Sequence, residues 1–286
     1  MNRLDEFWYF LKERHMIWYR RFVLKQQQPW TNDIYLRDYK YTNVYPDLDR
    51  GSIYIQDEIK NIEDAKDKFF RIIVYRLFNR IQTFEQIKHM IFVDKFDTDM
   101  CIDILKTFRS QGNKILTDAF LVTGTGKFKT SNDKTEIILR DVIRDDILKN
   151  LDSYYTKFIS SVDAKSAHKE LAEMRYVGNF LAYIILYDCV CAGIVKYNMN
   201  EWCNVGPGAD KAIRYIWNDN VNNLDMIKKL RDMQDIYLDK YFPYYNNRRL
   251  TLVEIEWTLC EYSKYVGLKY KIHNSRIRFY KGVQSV

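Results

Sequence analysis

Glycine and proline are scarce in this chain, which has 10 glycines and 4 prolines among its 286 residues. Turn-rich β proteins use many of both, so this composition favours a mainly α-helical fold. Hydrophobic residues make up 47% of the sequence, which is enough for a sizeable core. The length fits one large domain or two small ones. We therefore expect a single helical domain over residues 1–286, which could comprise two helical lobes.

The chain also lacks the features of a secreted, membrane-spanning or metal-binding protein. No uncharged apolar run approaches the roughly 18–20 residues of a membrane span, and the first residues do not resemble a signal peptide. The five cysteines are an odd number without a CxxC pair, so we expect reduced thiols, no metal site and no cofactor. We expect a monomer in the cytoplasm of a bacterial or phage-infected cell, with no membrane partner.

The segment from Met174 to Ala182 has the pattern of a helix-hairpin-helix, in which a short turn ends in a glycine and an apolar helix follows. In that motif, unpaired amides at the start of the second helix bind a DNA phosphate, which the helix dipole also favours. The usual motif has two glycines two residues apart, and Tyr176 occupies the first place here. We predict a hairpin over about 168–192 that contacts DNA through Gly178 and Asn179. The alternative is an ordinary corner between two core helices. The net charge of +7 is compatible with nucleic-acid binding.

Apolar residues at helical spacing predict helices along most of the chain. The predicted helices cover residues 4–24, 64–83, 97–111, 135–160, 163–175, 180–192, 209–217, 224–240 and 251–266.

Residues 123–135 form the clearest loop of the sequence. Its Thr-Gly-Thr-Gly-Lys run does not match the nucleotide-binding loop G-x-x-x-x-G-K-[ST], because Leu121 stands in the first glycine place and Phe128 follows the lysine. We predict that Lys127 contacts the DNA backbone, the alternative being a solvated loop. The tail from Lys269 is basic and is expected to form a short strand or an irregular arm.

A second loop, over residues 29–50, contains polar side chains that could read a nucleic-acid base. Asn43, Asp49 and Arg50 supply an amide, a carboxylate and a guanidinium, which can bind a base edge and hold charge. The alternative is that they stabilise local turns. His15 on the first predicted helix is a further catalytic candidate, although a lone histidine is more often structural.

The run Gly206-Pro207-Gly208 precedes a predicted helix and gives it a rigid start with open amides. In helix-hairpin-helix base-excision glycosylases, a catalytic aspartate stands at such a helix start, where it stabilises an oxocarbenium-like sugar or activates water. Here Gly206 takes that position, and the nearest acids are Glu201 and Asp210. We predict that Glu201 reaches the same space, and that Gly206 and Gly208 contact DNA.

Several short blocks occur in an order that resembles the helical domain attached to 5-hydroxymethyluracil DNA kinases and the related alpha-glutamyl/putrescinyl thymine pyrophosphorylases. The resemblance covers nearly the whole chain. That family is similar to the helix-hairpin-helix DNA glycosylase superfamily, and it belongs to phage DNA hypermodification and its countermeasures. The blocks are Arg14-His15, Pro29-Trp30-Thr31-x-Asp33, Tyr41-Thr42-Asn43-Val44-Tyr45, Leu48-Asp49-Arg50, Phe70-Arg71, Arg76-Leu77-Phe78-Asn79, Gly178-x-Phe180-Leu181-Ala182-Tyr183, Gly206-Pro207-Gly208-Ala209, Leu250-Thr251-Leu252 and Leu259-Cys260-Glu261.

The resemblance implies a helix-hairpin-helix glycosylase-like fold and an enzyme that acts on a 5-substituted pyrimidine flipped out of double-stranded DNA. Pro46 departs from the family pattern, where we expect arginine, and this could change which charged substituent is accepted. The kinase half has no counterpart in this sequence, so phosphorylation is not implied.

Three functions stay open at this point. The first is a DNA glycosylase that excises the modified base, the second an enzyme that replaces pyrophosphate on a 5-hydroxymethyl pyrimidine with an amine or amino acid, and the third a non-catalytic DNA-binding module. The glycosylase is favoured, because the layout of hairpin and helix start is the one that glycosylases have. The catalytic candidates are Asp49, Glu201 and His15, and the substrate-binding candidates are Arg14, Trp30, Asn43, Tyr45, Arg50, Arg76 and Asn79.

Overall fold

The computed structural model describes residues 1–117, 134–217 and 221–272. Every regular element in these ranges is a helix, so the predicted mainly α fold is confirmed. Lys127 lies outside the described residues, as does most of the tail beyond Lys269.

The described elements follow one another as short and medium-length helices. They are α1 Arg3–Trp18, continued by a π-helix Tyr19–Val23; α2 Ile34–Asp38; a 3-10 turn Pro46–Leu48; α3 Arg50–Ile59; α4 Ala65–Phe78; α5 Ile81–Ile87, followed by a 3-10 turn Lys88–Met90; α6 Thr98–Ser110; α7 Lys134–Ile137, continued by a π-helix Ile138–Leu148; α8 Leu151–Ile159; α9 Ala164–Ala172; α10 Asn179–Cys191; α11 Pro207–Trp217; α12 Asn223–Asp232; α13 Gln234–Tyr237; a 3-10 turn Tyr245–Asn247; and α14 Leu252–Tyr270.

The chain divides into two compact units. The terminal unit comprises Met1–Asp49 and Met199–Val286, and the central unit comprises Arg50–Asn198. In the terminal unit, α11 and α1 pack against the long helix α14. In the central unit, the apolar helix α10 packs against α9 and α4. Each unit therefore has a core of its own, built around one buried helix.

Polar caps explain where several helices begin. The Asp64 and Asp97 side chains accept hydrogen bonds from the first-turn amides of α4 and α6. Thr251 and Glu254 form a capping box at the start of α14. Such caps satisfy amides that have no partner within the helix, and each is worth about 1 kcal/mol.

The helix predicted over 64–83 is wrong in one respect, because the structure divides it into α4 and α5. Asn79 adopts a left-handed backbone conformation with φ 47°, which ends α4. Apolar spacing continues across this break, and periodicity alone cannot detect a single left-handed residue. The helix predicted over 224–240 is likewise divided, into α12 and α13.

Among the described helices, none combines the length and the apolar character needed to span a membrane.

Candidate functional site

A cluster of buried polar side chains lies in the terminal unit. Arg14 on α1 is only 4% exposed, and its Nη2 donates to the backbone oxygen of Asn43 at 3.1 Å and to Oγ1 of Thr258 at 3.3 Å. Glu261 on α14 is 5% exposed. We call this group the Arg14 cluster, and its members are Arg14, Tyr41, Asn43, Asp49, Thr258 and Glu261.

Asp49 and Asn43 belong to the same loop and are joined by hydrogen bonds. Oδ1 of Asp49 accepts hydrogen bonds from the backbone N and from Nδ2 of Asn43, both at 2.9 Å. Nδ2 of Asn43 also donates to the backbone oxygen of Leu48 at 2.9 Å. Burial raises the pKa of Asp49 to about 6, although the bonds from Asn43 and the charge of Arg14 oppose the rise. A carboxyl group with such a pKa can both accept and release a proton near neutral pH.

Other atoms of the cluster have no hydrogen-bond partner among the described residues. They are Nε and Nη1 of Arg14, the hydroxyl of Tyr41 and Oε2 of Glu261. Burial lowers the pKa of Arg14 to about 10, against the attraction of Glu261 and Asp49. Buried polar groups in native proteins are nearly always paired with protein or ordered water. The cluster therefore has donors and an acceptor with which to bind a polar molecule.

The loop that carries Tyr41, Asn43 and Asp49 is partly exposed at all three positions. The cluster thus lies beneath a surface loop rather than in the centre of the core. Of the residues that the sequence proposes for catalysis and substrate binding, Arg14, Asn43 and Asp49 lie together here. Their role in a substrate site stays a prediction.

His15 lies next to Arg14 on α1 but in aromatic surroundings. Its ring packs against Trp18, Tyr45 and Phe242, with centroid distances of 5.0–5.4 Å, and Nε2 contacts the backbone oxygen of Pro243 at 2.7 Å. Burial lowers its pKa to about 4, so the imidazole is neutral at physiological pH. This environment favours a packing role over the catalytic role predicted for His15.

Trp30 and Tyr45 are tied to neighbouring backbone. Nε1 of Trp30 donates to the backbone oxygen of Gln26 at 2.7 Å, and the Arg21 guanidinium lies 4.9 Å from the Trp30 ring. Tyr45 is fully buried, and its hydroxyl donates to the backbone oxygen of Arg248 at 2.7 Å. Both residues therefore support the 29–50 loop, and their predicted contact with a substrate stays a prediction.

At the start of α11, the nearest carboxylate comes from α14. The backbone N of Gly206 donates to Oε1 of Glu256 at 2.9 Å, and burial raises the pKa of this glutamate to about 8. Glu201 is exposed, and Asp210 is engaged by Arg214 and Asn223. The acid at this helix start is therefore Glu256, which the sequence reasoning missed.

Gly208 allows α11 to approach α14 closely. A Cβ atom at this position would lie 2.6 Å from Sγ of Cys260 and 3.3 Å from its Cα. This contact gives Gly208 a packing role, separate from its predicted contact with DNA.

In the central unit, Arg76 forms a buried bidentate ion pair with Asp188. Nε of Arg76 lies 2.5 Å from Oδ2 of Asp188, and Nη2 lies 2.9 Å from Oδ1. Further bonds run from Arg76 to Ser52 and Asn79, both at 3.1 Å. Arg76 and Asn79 thus join α3, α4 and α10, whereas Arg50 is exposed at the start of α3. Asp188 was missed by the sequence reasoning, since it lies 112 positions from its partner.

The predicted hairpin segment forms two helices, α9 and α10, joined by a turn. Tyr176 has φ +64°, the left-handed conformation that favours glycine, and it occupies the place where the motif usually has its first glycine. Gly178 is the N-cap of α10, with φ −76° and no side-chain hydrogen bond to the helix. No described atom lies within 4 Å of the Cβ position that a side chain there would add. The contact of Gly178 and Asn179 with DNA stays a prediction.

Within the described ranges, no group of three or more His, Cys, Asp or Glu side chains is arranged to hold a metal ion.

Comparison with known sequences identifies the relatives of this chain. A profile of the 5-hmdU DNA kinase helical domain matches residues 1–274. The chain belongs to this family. It is 30% identical to a 5-hmdU DNA kinase of Bacillus phage SP10 over 291 aligned positions, which cover 91% of this chain and 44% of the relative. The chain thus spans less than half the length of that curated relative. No solved structure shows significant similarity.

This membership confirms the family predicted from the sequence blocks. Among the residues of those blocks, Tyr41 and Glu261 were not proposed as site residues, yet both join the Arg14 cluster. Glu261 is a charged residue on the largely buried helix α14. A charge at such a position is the signal by which the sequence could have identified Glu261.

Proposed function

We propose that this protein acts on a 5-modified pyrimidine of phage DNA, and that the Arg14 cluster holds the base after it has flipped out of the double helix. The observation that carries the proposal is a carboxyl group with a pKa of about 6, Asp49, beside a buried arginine that has unpaired donors. Enzymes that act on a base within duplex DNA extrude it into a pocket and bind its edge by hydrogen bonds. The name of the phage relative, a 5-hmdU DNA kinase, supports a modified uracil as the base.

We assign base excision as the reaction. Asp49 accepts a proton from water, the water oxygen bonds to C1′ of the deoxyribose, and the C1′–N1 bond breaks with its electron pair going to the base. Arg14 offsets the negative charge that develops on the departing base, since an oriented cation in a dry site stabilises such a charge strongly. The two residues supply the carboxylate and the charge stabilisation that this hydrolysis needs.

Displacement of pyrophosphate by an amine is the second candidate. Its support is a carboxyl group able to accept a proton from the amine, together with the unpaired donors of Arg14. Binding of pyrophosphate calls for several cations, however, and Arg76 is already engaged by Asp188. Excision is therefore the reaction we favour, with a non-catalytic DNA-binding module as the third outcome.

The DNA backbone would be bound by amides at the starts of α10 and α11. Gly178 and Gly206 precede these helices without a bulky side chain, and helix N-termini favour phosphate groups. The Gly206 amide already donates to Glu256, so a phosphate at α11 would be bound by amides of the first turn.

Incubation of the protein with duplexes that carry single modified pyrimidines tests the reaction. The set includes 5-hydroxymethyluracil, its phosphorylated and pyrophosphorylated forms, and thymine, each with and without a mixture of amines. Mass spectrometry of the products distinguishes the outcomes. Free base and an abasic site are the expected products, a substituted nucleoside would support displacement, and binding without any product would support the non-catalytic module.

A further inference from the structure

We propose that Arg14, Tyr41 and Glu261 form a reader of the Watson–Crick edge of a uracil-type base, and that they set the specificity of the site. The inference rests on the proposed function for the choice of a pyrimidine as the ligand. The residues, and the base edge that they select, follow from their unpaired atoms.

The three residues converge from separate segments of the terminal unit. Arg14 belongs to α1, Tyr41 to the loop after α2, and Glu261 to α14. Arg14 donates to Oγ1 of Thr258, which lies about one helical turn before Glu261 on α14. The ring of Phe10 contacts both Tyr41, with ring centroids 5.5 Å apart, and the Arg14 guanidinium, at 5.3 Å. Their unpaired groups therefore share one region of the protein.

Arg14 and Glu261 are both more than nine-tenths buried, and both keep a polar atom without a partner among the described residues. The hydrogen bonds that Arg14 and Glu261 do form use other atoms of the same side chains. Lys264 donates to Oε1 of Glu261 at 2.6 Å and leaves Oε2, while Asn43 and Thr258 accept from Nη2 of Arg14 and leave Nε and Nη1. Buried polar side chains rarely keep unpaired atoms unless a ligand or an ordered water molecule supplies the missing hydrogen bonds.

The unpaired groups comprise donors from Arg14 and Tyr41 and a carboxylate acceptor from Glu261. The edge of a uracil-type base presents two carbonyl oxygens around one N3–H donor, so it needs two donors and one acceptor in return. A cytosine-type base presents an unprotonated N3, which a carboxylate repels, and it has only one carbonyl oxygen. The set in this structure therefore fits uracil, thymine and their 5-substituted derivatives.

Three free nucleosides test the ligand assignment without involving the DNA-binding surface or the reaction. They are 5-hydroxymethyldeoxyuridine, its N3-methyl derivative and 5-hydroxymethyldeoxycytidine, titrated calorimetrically at up to millimolar concentration. We expect the deoxyuridine to bind about 10- to 100-fold more tightly than the other two, as the loss of one charge-assisted hydrogen bond implies. Equal binding of the N3-methyl derivative, or no binding of the deoxyuridine, would overturn the proposal.

Substitution of Tyr41 distinguishes a role in base recognition from a role in the stability of the fold. Tyr41→Phe removes a buried hydroxyl that has no partner, so the free protein should keep or increase its Tm while its affinity for 5-hydroxymethyldeoxyuridine falls about tenfold. Tyr262→Phe is the matched control, because the Tyr262 hydroxyl donates to Oε2 of Glu6 at 3.0 Å. That variant should lower the Tm and leave nucleoside affinity unchanged. A lower Tm with unchanged affinity in Tyr41→Phe would refute the reader.

Glu261→Gln tests the acceptor directly. This variant should lose most of the preference for the deoxyuridine over its N3-methyl derivative. Lys264 retains the amide oxygen, and the NH2 group that replaces Oε2 cannot accept a hydrogen bond from N3–H. Glu6→Gln serves as its control, since Glu6 is an equally buried glutamate whose oxygens are bonded to Tyr262, Lys269 and Tyr270. An unchanged preference in Glu261→Gln would exclude it as the acceptor. If nucleosides bind as expected while duplexes give no product, only the proposed function fails.

Discussion

At the scale of single residues, the environment of Asp49 sets both its chemistry and its contribution to stability. Asn43 holds one carboxylate oxygen, Arg14 lies nearby, and burial outweighs both in raising the pKa to about 6. A carboxylate in this position is ionised at neutral pH and still basic enough to take a proton from water. The residue is also partly exposed, which a group that acts on a substrate requires.

Asp49→Asn should lower the rate about 10²- to 10⁴-fold while DNA binding persists, because phosphate contacts supply most of the affinity. The asparagine keeps an oxygen that can accept from Asn43, so the loop should retain its conformation. Single-turnover assays on a modified duplex, together with DNA titrations, measure both effects. Glu201→Gln is the companion variant. Retained activity in Asp49→Asn with loss of activity in Glu201→Gln would move the catalytic role to Glu201.

The stability of Asp49→Asn relative to the parent should depend on pH. The folded protein raises the pKa of Asp49 from 3.8 to about 6, so it binds this proton more tightly than the unfolded chain does. The contribution of Asp49 to the free energy of unfolding is thus fully present below about pH 4 and is lost as the pH rises through about 6. Above this range the asparagine variant should be more stable than the parent by about 1–3 kcal/mol, with the lower end favoured by the partial exposure of Asp49. Urea unfolding across this range measures the difference, and a constant difference would contradict the raised pKa.

At the scale of elements, the start of α10 and the ion pair on α4 have different roles. The Gly178 N-cap leaves the first amides of α10 without a side-chain partner, as an anion-binding helix start requires. Arg76 instead joins its helix to α3 and α10 through a bidentate ion pair and two further hydrogen bonds. The first arrangement leaves donors for a ligand, whereas the second uses them within the fold.

Gly178→Asp should weaken DNA binding by about 1–3 kcal/mol, because it sets a carboxylate against the phosphate. The variant should fold well, since aspartate is a preferred N-cap and the φ of −76° suits any residue. Gly178→Ser is the control, as it supplies a neutral cap of similar preference. Fluorescence anisotropy with a labelled duplex measures both variants. Equal affinities for the aspartate and serine variants would remove α10 from the DNA interface.

Arg76→Met should lower the free energy of unfolding by about 3–5 kcal/mol, because it leaves the buried Asp188 carboxylate uncompensated. The double variant Arg76→Met, Asp188→Leu should recover much of this loss, since apolar pairs often replace buried ion pairs without penalty. Chemical denaturation gives the stabilities. If the double variant is stable and active, Arg76 has a structural role; if it is stable and inactive, Arg76 belongs to the substrate-binding residues.

At the scale of the whole molecule, a net charge of +7 favours association with DNA whatever its sequence. Each of the two compact units contains one of the helix starts assigned to phosphate binding, α10 in the central unit and α11 in the terminal unit. The Arg14 cluster lies wholly within the terminal unit. Non-specific affinity is therefore expected to come from the charge of the chain, and base specificity from this cluster.

The affinity for DNA should fall steeply with salt, by at least about tenfold between about 50 mM and about 200 mM, because each neutralised phosphate releases counterions. Modified and unmodified duplexes should show the same slope on logarithmic axes, with the modified one bound more tightly throughout. Titrations at four salt concentrations give both slopes. An affinity that does not change with salt would exclude phosphate contacts as the main source of binding.

Features that depend on neighbouring residues follow from the amino-acid sequence alone. Apolar spacing predicted the helical class, the ordered blocks identified the family, and Asn43 and Asp49 share a loop whose local hydrogen bonds their spacing permits. Most helix positions follow from the same short-range pattern. The break at Asn79 does not, because a single left-handed residue leaves the apolar spacing unchanged.

Which distant side chains meet depends on how the helices pack in three dimensions. Glu261 joins Arg14, Glu256 reaches Gly206, and Asp188 pairs with Arg76, although each pair is at least 50 positions apart in the sequence. Burial also changed the chemistry of these groups, raising the pKa of Asp49 and Glu256 and lowering that of His15. Periodicity reports which face of a helix is apolar, whereas desolvation and pairing depend on the other helices that cover that face.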